Sequence, residues 1–166
     1  MNVLVKTSAL LLFLIPGWLT YTDSANKYTV NYPKEWKQTA FGNAIAFMSP
    51  RADDKDLFQE NVNIMVQDLS AQPVTLEQYT ELTRKQLKEN IGENAKILQS
   101  AKTIAGQKAV QLIYNMTYQG RQLKIKQFYF IKDNKAWLLT YTAQPATFTR
   151  YEKQATAIIN SFTFQK

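Results

Sequence analysis

Apolar and polar residues alternate along most of the chain, and this pattern predicts β-strands. In the first half the alternation predicts one strand at 27–32, a short one at 44–48 and another at 61–69. Pro33 ends the first of these strands, since proline has no amide hydrogen to donate to a neighbouring strand. The segment 49–59 lacks the alternation and is predicted to be a solvated loop.

One segment changes from a period of two to the spacing of a helix. Thr75 and Gln78 are placed to form a capping box at its start, and Gly92 supplies the left-handed residue that ends it. Between them, apolar side chains recur on one face, at Leu76, Tyr79, Leu82, Leu87 and Ile91. The pattern predicts an amphipathic helix between these two signals.

Four further strands follow this helix, separated by short turns that favour antiparallel hairpins. They are predicted at 96–104, 107–118, 122–132 and 135–143. A second amphipathic helix is predicted to begin near Pro145, with a strand-like tail at 161–164. The predicted fold class is α+β: a single-domain α/β/α sandwich in which helices pack on both faces of a central antiparallel sheet of about six strands.

The first 25 residues have the layout of a secretory signal peptide. Lys6 precedes an uncharged and mainly apolar run at 8–19, which is too short to span a bilayer. Cleavage after Ala25 would leave a domain at 26–166 in the periplasm or outside the cell. The alternative is an uncleaved anchor at 3–21, which also places the domain outside the cytoplasm.

Composition removes several kinds of chemistry. The chain has no cysteine and no histidine, so it has no disulfide, no thiolate nucleophile and no imidazole base or zinc ligand. Its formal net charge of +7 indicates an anionic partner, although solubility alone is an alternative explanation. No run of five or more Lys or Arg is present, so we expect no nucleic-acid partner.

The only candidate metal ligands are the carboxylates of Asp53, Asp54 and Asp56 in the 49–59 loop. Carboxylate oxygens are the ligands that calcium prefers. The spacing lacks the glycine and the distal glutamate of an EF-hand loop, so a solvated acidic loop is the alternative. No other cofactor is predicted.

Four cations along one predicted hairpin form a candidate partner surface: Arg121, Lys124, Lys126 and Lys132. Lys124 and Lys126 are two residues apart and therefore lie on the same side of their strand. The alternative is a charged strand that keeps the sheet soluble. Trp36 and Trp137 are interpreted as core residues, since indole rings in strands are more often buried than part of a ligand pocket.

The order of these elements resembles that of the PsbP-like group. This group includes the PsbP extrinsic subunits of photosystem II, bacterial proteins of the DUF1795 type and the similar Mog1 fold. The resemblance covers 27–164 and rests on the segment YTVNYPKEW at 28–36, on the helix opening TLEQY and on a few anchor residues. These anchors are Tyr32, Pro33, Trp36, Asn61, Val62, Gly106, Ala109, Trp137, Ser161 and Phe162.

The resemblance implies an exported, non-catalytic module that binds a membrane-associated protein partner or stabilises its assembly, acting as a monomer. In a photosynthetic host it implies a lumenal role like that of the photosystem II subunits, which help to retain calcium and chloride. Some members bind zinc through histidines, which this chain lacks. The alternatives are a DUF1795-type chaperone or adaptor that holds a segment of another protein and, more remotely, a hydrolase with an unrecognised site.

Overall fold

The computed structural model describes residues 17–54 and 56–165. These residues contain ten strands and two helices. The strands are β1 (Trp18–Asp23), β2 (Tyr28–Pro33), β3 (Lys37–Phe41), β4 (Ala44–Met48), β5 (Asn61–Asp68), β6 (Leu98–Ile104), β7 (Gln107–Tyr118), β8 (Arg121–Lys132), β9 (Lys135–Ala143) and β10 (Thr163–Phe164), and the helices are α1 (Leu76–Ile91) and α2 (Phe148–Asn160).

The strands form two antiparallel sheets. The main sheet has seven strands in the order β3-β4-β5-β9-β8-β7-β6, and a smaller sheet has the order β1-β2-β10. The α+β class and the antiparallel pairing are therefore as predicted, whereas the central sheet has seven strands instead of about six and is accompanied by a second sheet. The strand that opens the domain, β2, belongs to the small sheet and not to the main one.

Two strands had not been predicted. β3 is short, mostly exposed and without a clear alternation, so its sequence carries little strand signal. β1 falls inside the segment predicted as a leader, where Trp18 and Leu19 stand at the end of the apolar run at 8–19. The rest of that leader, up to Pro16, lies outside the described residues. The boundary at Ala25 stays a prediction.

Helix α1 begins and ends at the predicted signals. The amide of Gln78 donates to the hydroxyl of Thr75 at 3.2 Å, and the amide of Thr75 donates to the side-chain oxygen of Gln78 at 2.9 Å. Gly92 has a φ of 102° and donates its N–H to the carbonyl of Lys88. In the part of the chain that is described, no helix is both long enough and apolar enough to cross a membrane.

The core consists of two clusters that use alternate residues of β9. Trp137, Leu139 and Tyr141 belong to one cluster, and Ala136 and Leu138 belong to the other. Since neighbouring residues of a strand point to opposite faces, the two clusters lie on opposite faces of the main sheet. The apolar side of α2 belongs to the first cluster, together with β2, and the apolar side of α1 packs against the second. We call these the α2 face and the α1 face.

Both predicted core tryptophans are buried. Trp36 is 2% exposed and Trp137 is 3% exposed. The indole N–H of Trp36 donates to Gln154 at 3.4 Å, and that of Trp137 donates to the carbonyl of Lys132 at 3.4 Å. The rings therefore contribute apolar packing while their polar atoms remain satisfied, which confirms the interpretation as core.

The turn between β6 and β7 depends on backbone geometry at Gly106, whose φ is 76°. An alanine there would hold a left-handed conformation, which costs an L-residue about 1–2 kcal/mol. No atom lies within 4 Å of the position that its Cβ would take, so no packing change accompanies the substitution. Gly106→Ala is therefore expected to lower the free energy of unfolding by about 1 kcal/mol in urea denaturation. Unchanged stability would contradict this account of the turn.

Candidate docking surface

The acidic loop is organised by its own backbone. One oxygen of Asp56 accepts the amide N–H of Ala52 at 2.9 Å, and the other accepts that of Phe58 at 3.1 Å. These two hydrogen bonds hold the pKa of Asp56 below its ordinary value. Within 17–54 and 56–165, no three His, Cys, Asp or Glu side chains are grouped so as to hold a metal ion. Calcium at this loop stays a prediction.

The two lysines predicted to share a side of β8 do so, and both contact α2. Lys126 forms a salt bridge of 3.0 Å with Glu152 and donates to the hydroxyl of Thr156 at 3.2 Å. The ammonium group of Lys124 lies 4.2 Å from the centre of the Phe148 ring. These charges are partly buried and help to fix α2 on the sheet, so they are less available to a partner than the sequence suggested.

The other two predicted cations also bind groups of this chain. Lys132 pairs with the neighbouring Asp133 and lies 5.3 Å from the ring centre of Phe164. Arg121 donates to the carbonyl of Leu57 at 3.4 Å and lies 5.3 Å from the ring centre of Phe58, which packs in the cluster of the α1 face. Arg121 therefore points away from the face that carries the three lysines. The structure does not bring the four cations together on one face.

The net charge of the protein is concentrated in one stretch of sequence. Residues 94–132 contain seven Lys or Arg and no Asp or Glu, whereas the rest of the chain contains thirteen of each sign. The whole formal charge of +7 therefore belongs to β6, β7, β8 and the residues just before them. This segment has no run of basic residues, so its signal in the sequence is the absence of acidic ones.

Three lysines of this segment were not singled out from the sequence: Lys96, Lys102 and Lys108. All three are exposed, and no salt bridge between described residues includes any of them. Lys102 pairs with Ala109 across the hairpin and therefore lies on the α2 face, and Lys108 lies on the opposite face of the sheet. We call these three lysines and the strands β6 and β7 the basic edge.

A cleft of about 380 Å³ lies between α1 and the basic edge. It is lined by Leu76, Glu77, Thr80, Glu81, Arg84, Gln99 and Val110. Arg84 donates to the side-chain oxygen of Gln99 at 3.1 Å, so helix and edge strand are joined across it. Hydrogen bonds from its own amide and from Thr75 lower the pKa of Glu77, and Lys108 adds a smaller effect. The cleft therefore combines apolar walls with both signs of charge.

One carboxylate is buried elsewhere. Glu60 is 2% exposed and accepts hydrogen bonds from the hydroxyls of Ser49 and Thr147. Ser49 follows β4 and Thr147 precedes α2, so Glu60, just before β5, connects the start of the 49–59 loop with the start of that helix. Every buried side-chain N or O atom among the described residues has a hydrogen-bond partner. We interpret Glu60 as a structural residue.

The family model described as PsbP matches residues 16–164. No curated protein matches the chain. Solved structures do match it, at identities that show the fold alone. The cyanobacterial PsbP (CyanoP) of Synechocystis sp. PCC 6803 is 14% identical, with 90% of this chain and 94% of that chain covered and a TM-score of 0.61.

Two further structures share the fold. LpqN of Mycobacterium tuberculosis, described as involved in cell envelope biogenesis, is 14% identical, with 90% of this chain and 91% of that chain covered and a TM-score of 0.64. The Ran-binding protein Mog1p of Saccharomyces cerevisiae is 8% identical, with 89% and 95% covered and a TM-score of 0.58. Because the family model spans nearly the whole chain, the protein belongs to the PsbP family.

Proposed function

We propose that this protein is a non-catalytic binding module that docks on an acidic protein partner through the basic edge. The observation that carries the proposal is the concentration of the whole net charge in β6–β8, with three exposed lysines that have no salt bridge within the described chain. A field of one sign attracts a partner of the opposite sign and speeds its approach. Membership of the PsbP family and the structural similarity of the chain to the Ran-binding protein Mog1p support a role in protein binding.

We further propose that the domain works outside the cytoplasm on a membrane-associated partner. The leader-like residues before β1 support export, and the description of LpqN as involved in cell envelope biogenesis is consistent with it. In a photosynthetic host the partner would be a photosystem II assembly, as the resemblance to the PsbP extrinsic subunits implies.

One observation favours an adaptor that holds an apolar segment instead. Leu82 of α1 is 51% exposed and lines a second cleft, of about 310 Å³, between the helix and the loop that precedes it. Leu69, Val74 and Tyr79 contribute the other apolar walls. This cleft lies away from the basic edge, so the two functions predict different sensitive residues.

The proposal is tested by removing the three charges of the basic edge. The variant Lys96→Gln, Lys102→Gln, Lys108→Gln is used as bait on detergent-solubilised native membranes, and its binding to the protein captured by the unmodified domain is measured. A loss of about tenfold is expected, since three exposed ion pairs of ~0.5 kcal/mol each amount to that ratio. Capture by the unmodified domain is expected to fall as salt is raised.

A matched control carries the same loss of charge elsewhere. Lys34, Lys37 and Lys153 are exposed and lie outside residues 94–132, and their replacement by glutamine lowers the net charge equally. Binding by this control is expected to change by less than about twofold. An equal loss in both variants, or capture that is independent of salt, would count against docking through the basic edge. Loss only on Leu82→Ser would favour the adaptor.

A further inference from the structure

The outer side of β6 is an open edge of the main sheet. β6 pairs only with β7 and stands last in the strand order. Ile104 and Gln107 flank a two-residue turn and therefore exchange both backbone hydrogen bonds, and the same holds for every second pair away from the turn. The backbone groups of Gln99, Ala101 and Thr103 consequently point away from β7. They form a row of three N–H and three C=O groups at the edge.

This edge has few of the features that usually prevent strand addition. β6 is seven residues long, contains no proline and pairs with β7 without a bulge. Gln99, Ala101 and Thr103 are all exposed, and Leu98 is 50% exposed. Lys102 is the one charged residue within the strand. A lysine repels a second basic strand, but it attracts an acidic one.

We propose that β6 accepts an extended acidic segment of the partner as an eighth strand of the main sheet. The inference rests on the proposed function and adds the form in which the partner is recognised. Backbone hydrogen bonds to Gln99, Ala101 and Thr103 would supply affinity, and alternate side chains of the segment would supply specificity. A second copy of this chain is the wrong occupant, because it would bring two segments of +7 charge together.

The α2 face and the α1 face of the sheet at β6 suit different side chains on the incoming segment. On the α2 face, Lys102 is exposed and suits a carboxylate directly across the new pair of strands. On the α1 face, the residue opposite Gln99 would enter the cleft beside Leu76 and Val110, where an apolar side chain fits. The expected ligand therefore alternates acidic and apolar residues.

The test uses a variant that removes one backbone donor from the edge. Proline is tolerated in an edge strand where its missing N–H would have faced solvent. Ala101→Pro is therefore expected to fold, with the β6–β7 pairing intact, and to lose the central hydrogen bond of the added strand. Ala101→Thr keeps the N–H and serves as the matched control. Circular dichroism and the amide spectrum of β7 report whether each variant is folded.

The probe is a peptide of about ten residues that alternates glutamate and valine, capped at both ends. With saturating peptide, the rates at which the amide protons of Gln99, Ala101 and Thr103 exchange with solvent are expected to fall by at least about tenfold. Ala101→Pro is expected to bind the peptide at least about tenfold more weakly than Ala101→Thr. The same peptide with lysine in place of glutamate is expected not to bind.

The possible failures are distinguishable. One outcome would be that the peptide does not bind the Lys→Gln triple variant but binds Ala101→Pro and Ala101→Thr equally, without slower amide exchange. That outcome would overturn strand addition and would still support electrostatic docking. Absence of any binding by the acidic peptide also overturns strand addition. Slower exchange of the three amides with rising protein concentration alone would identify a second copy as the occupant and overturn the inference. If the native partner binds the triple variant as tightly as it binds the unmodified domain, the proposed function itself is contradicted.

Discussion

A chain that begins at Asn26 is expected to be less stable than one that begins at Gly17 by about 3–5 kcal/mol, the range of large aromatic losses from a core. The shorter chain lacks β1, whose six residues pair with β2. It also lacks the ring of Tyr21, which lies 6.0 Å from that of Tyr28 and 5.9 Å from that of Phe47. The loss of β1 would expose one side of β2 to water, and the loss of the Tyr21 ring would expose part of the aromatic core.

Urea denaturation of the two chains measures this difference. Tyr21→Ala in the longer chain separates the side chain from the strand, and we expect it to cost about 1–2 kcal/mol because the ring is only partly buried. Equal stability of the long and short chains would show that β1 contributes no net stability. The result bears on the predicted cleavage after Ala25, which would remove β1 from the mature protein, and the intact mass of the native protein decides where that chain begins.

Replacement of Trp137 by alanine is expected to lower the free energy of unfolding by about 3–5 kcal/mol. The indole ring is 3% exposed, and its centre lies 4.9–6.1 Å from those of four other aromatic rings. These rings belong to Tyr28, Phe130, Phe162 and Phe164. Phe130 lies on the main sheet, Tyr28 and Phe164 lie on the small sheet, and Phe162 directly precedes β10, so removal of the indole would leave a cavity between the two sheets.

The measurement is again urea denaturation, followed by circular dichroism because the substitution removes one of three tryptophans. Tyr118→Ala is the matched control, since that tyrosine is 57% exposed and its removal is expected to change stability by no more than about 0.5 kcal/mol. A loss below about 1 kcal/mol in Trp137→Ala would mean that the rings close the cavity by moving together.

Local signals predicted most of the fold. The caps of α1 involve residues a few positions apart, and the hairpins of β6–β9 close through turns of two residues, so the sequence near each element specifies it. The small sheet was missed for two reasons: β1 lies in the segment interpreted as a leader, and the other neighbour of β2 is distant in the sequence. β2 pairs with β10, and the hydroxyl of Ser161 accepts the amide of Asn31 from 130 positions away.

For the candidate site too, features set by nearby residues were predicted and features set by long-range contacts were not. The sequence located basic residues on β8, but the partner of Lys126 is Glu152, 26 residues away on α2, and only the tertiary fold brings the two together. Lys102 and Lys108 could have been identified from the sequence, because the stretch without acidic residues is a feature of the sequence itself. The identity of the edge strand could not be predicted from the sequence, since the strand order of a sheet depends on long-range pairing.

The position of β2 between β1 and β10 has a consequence for folding during synthesis. Its second neighbour, β10, leaves the ribosome long after β2, since the two strands are far apart in the sequence. Until then Phe162 and Phe164 are absent, and the aromatic rings around Trp137 cannot close. Contacts of such long sequence separation form late and slowly. We therefore expect nascent chains that end before β10 to remain open to proteases and chaperones, and the native state to appear only after β10 has left the ribosome.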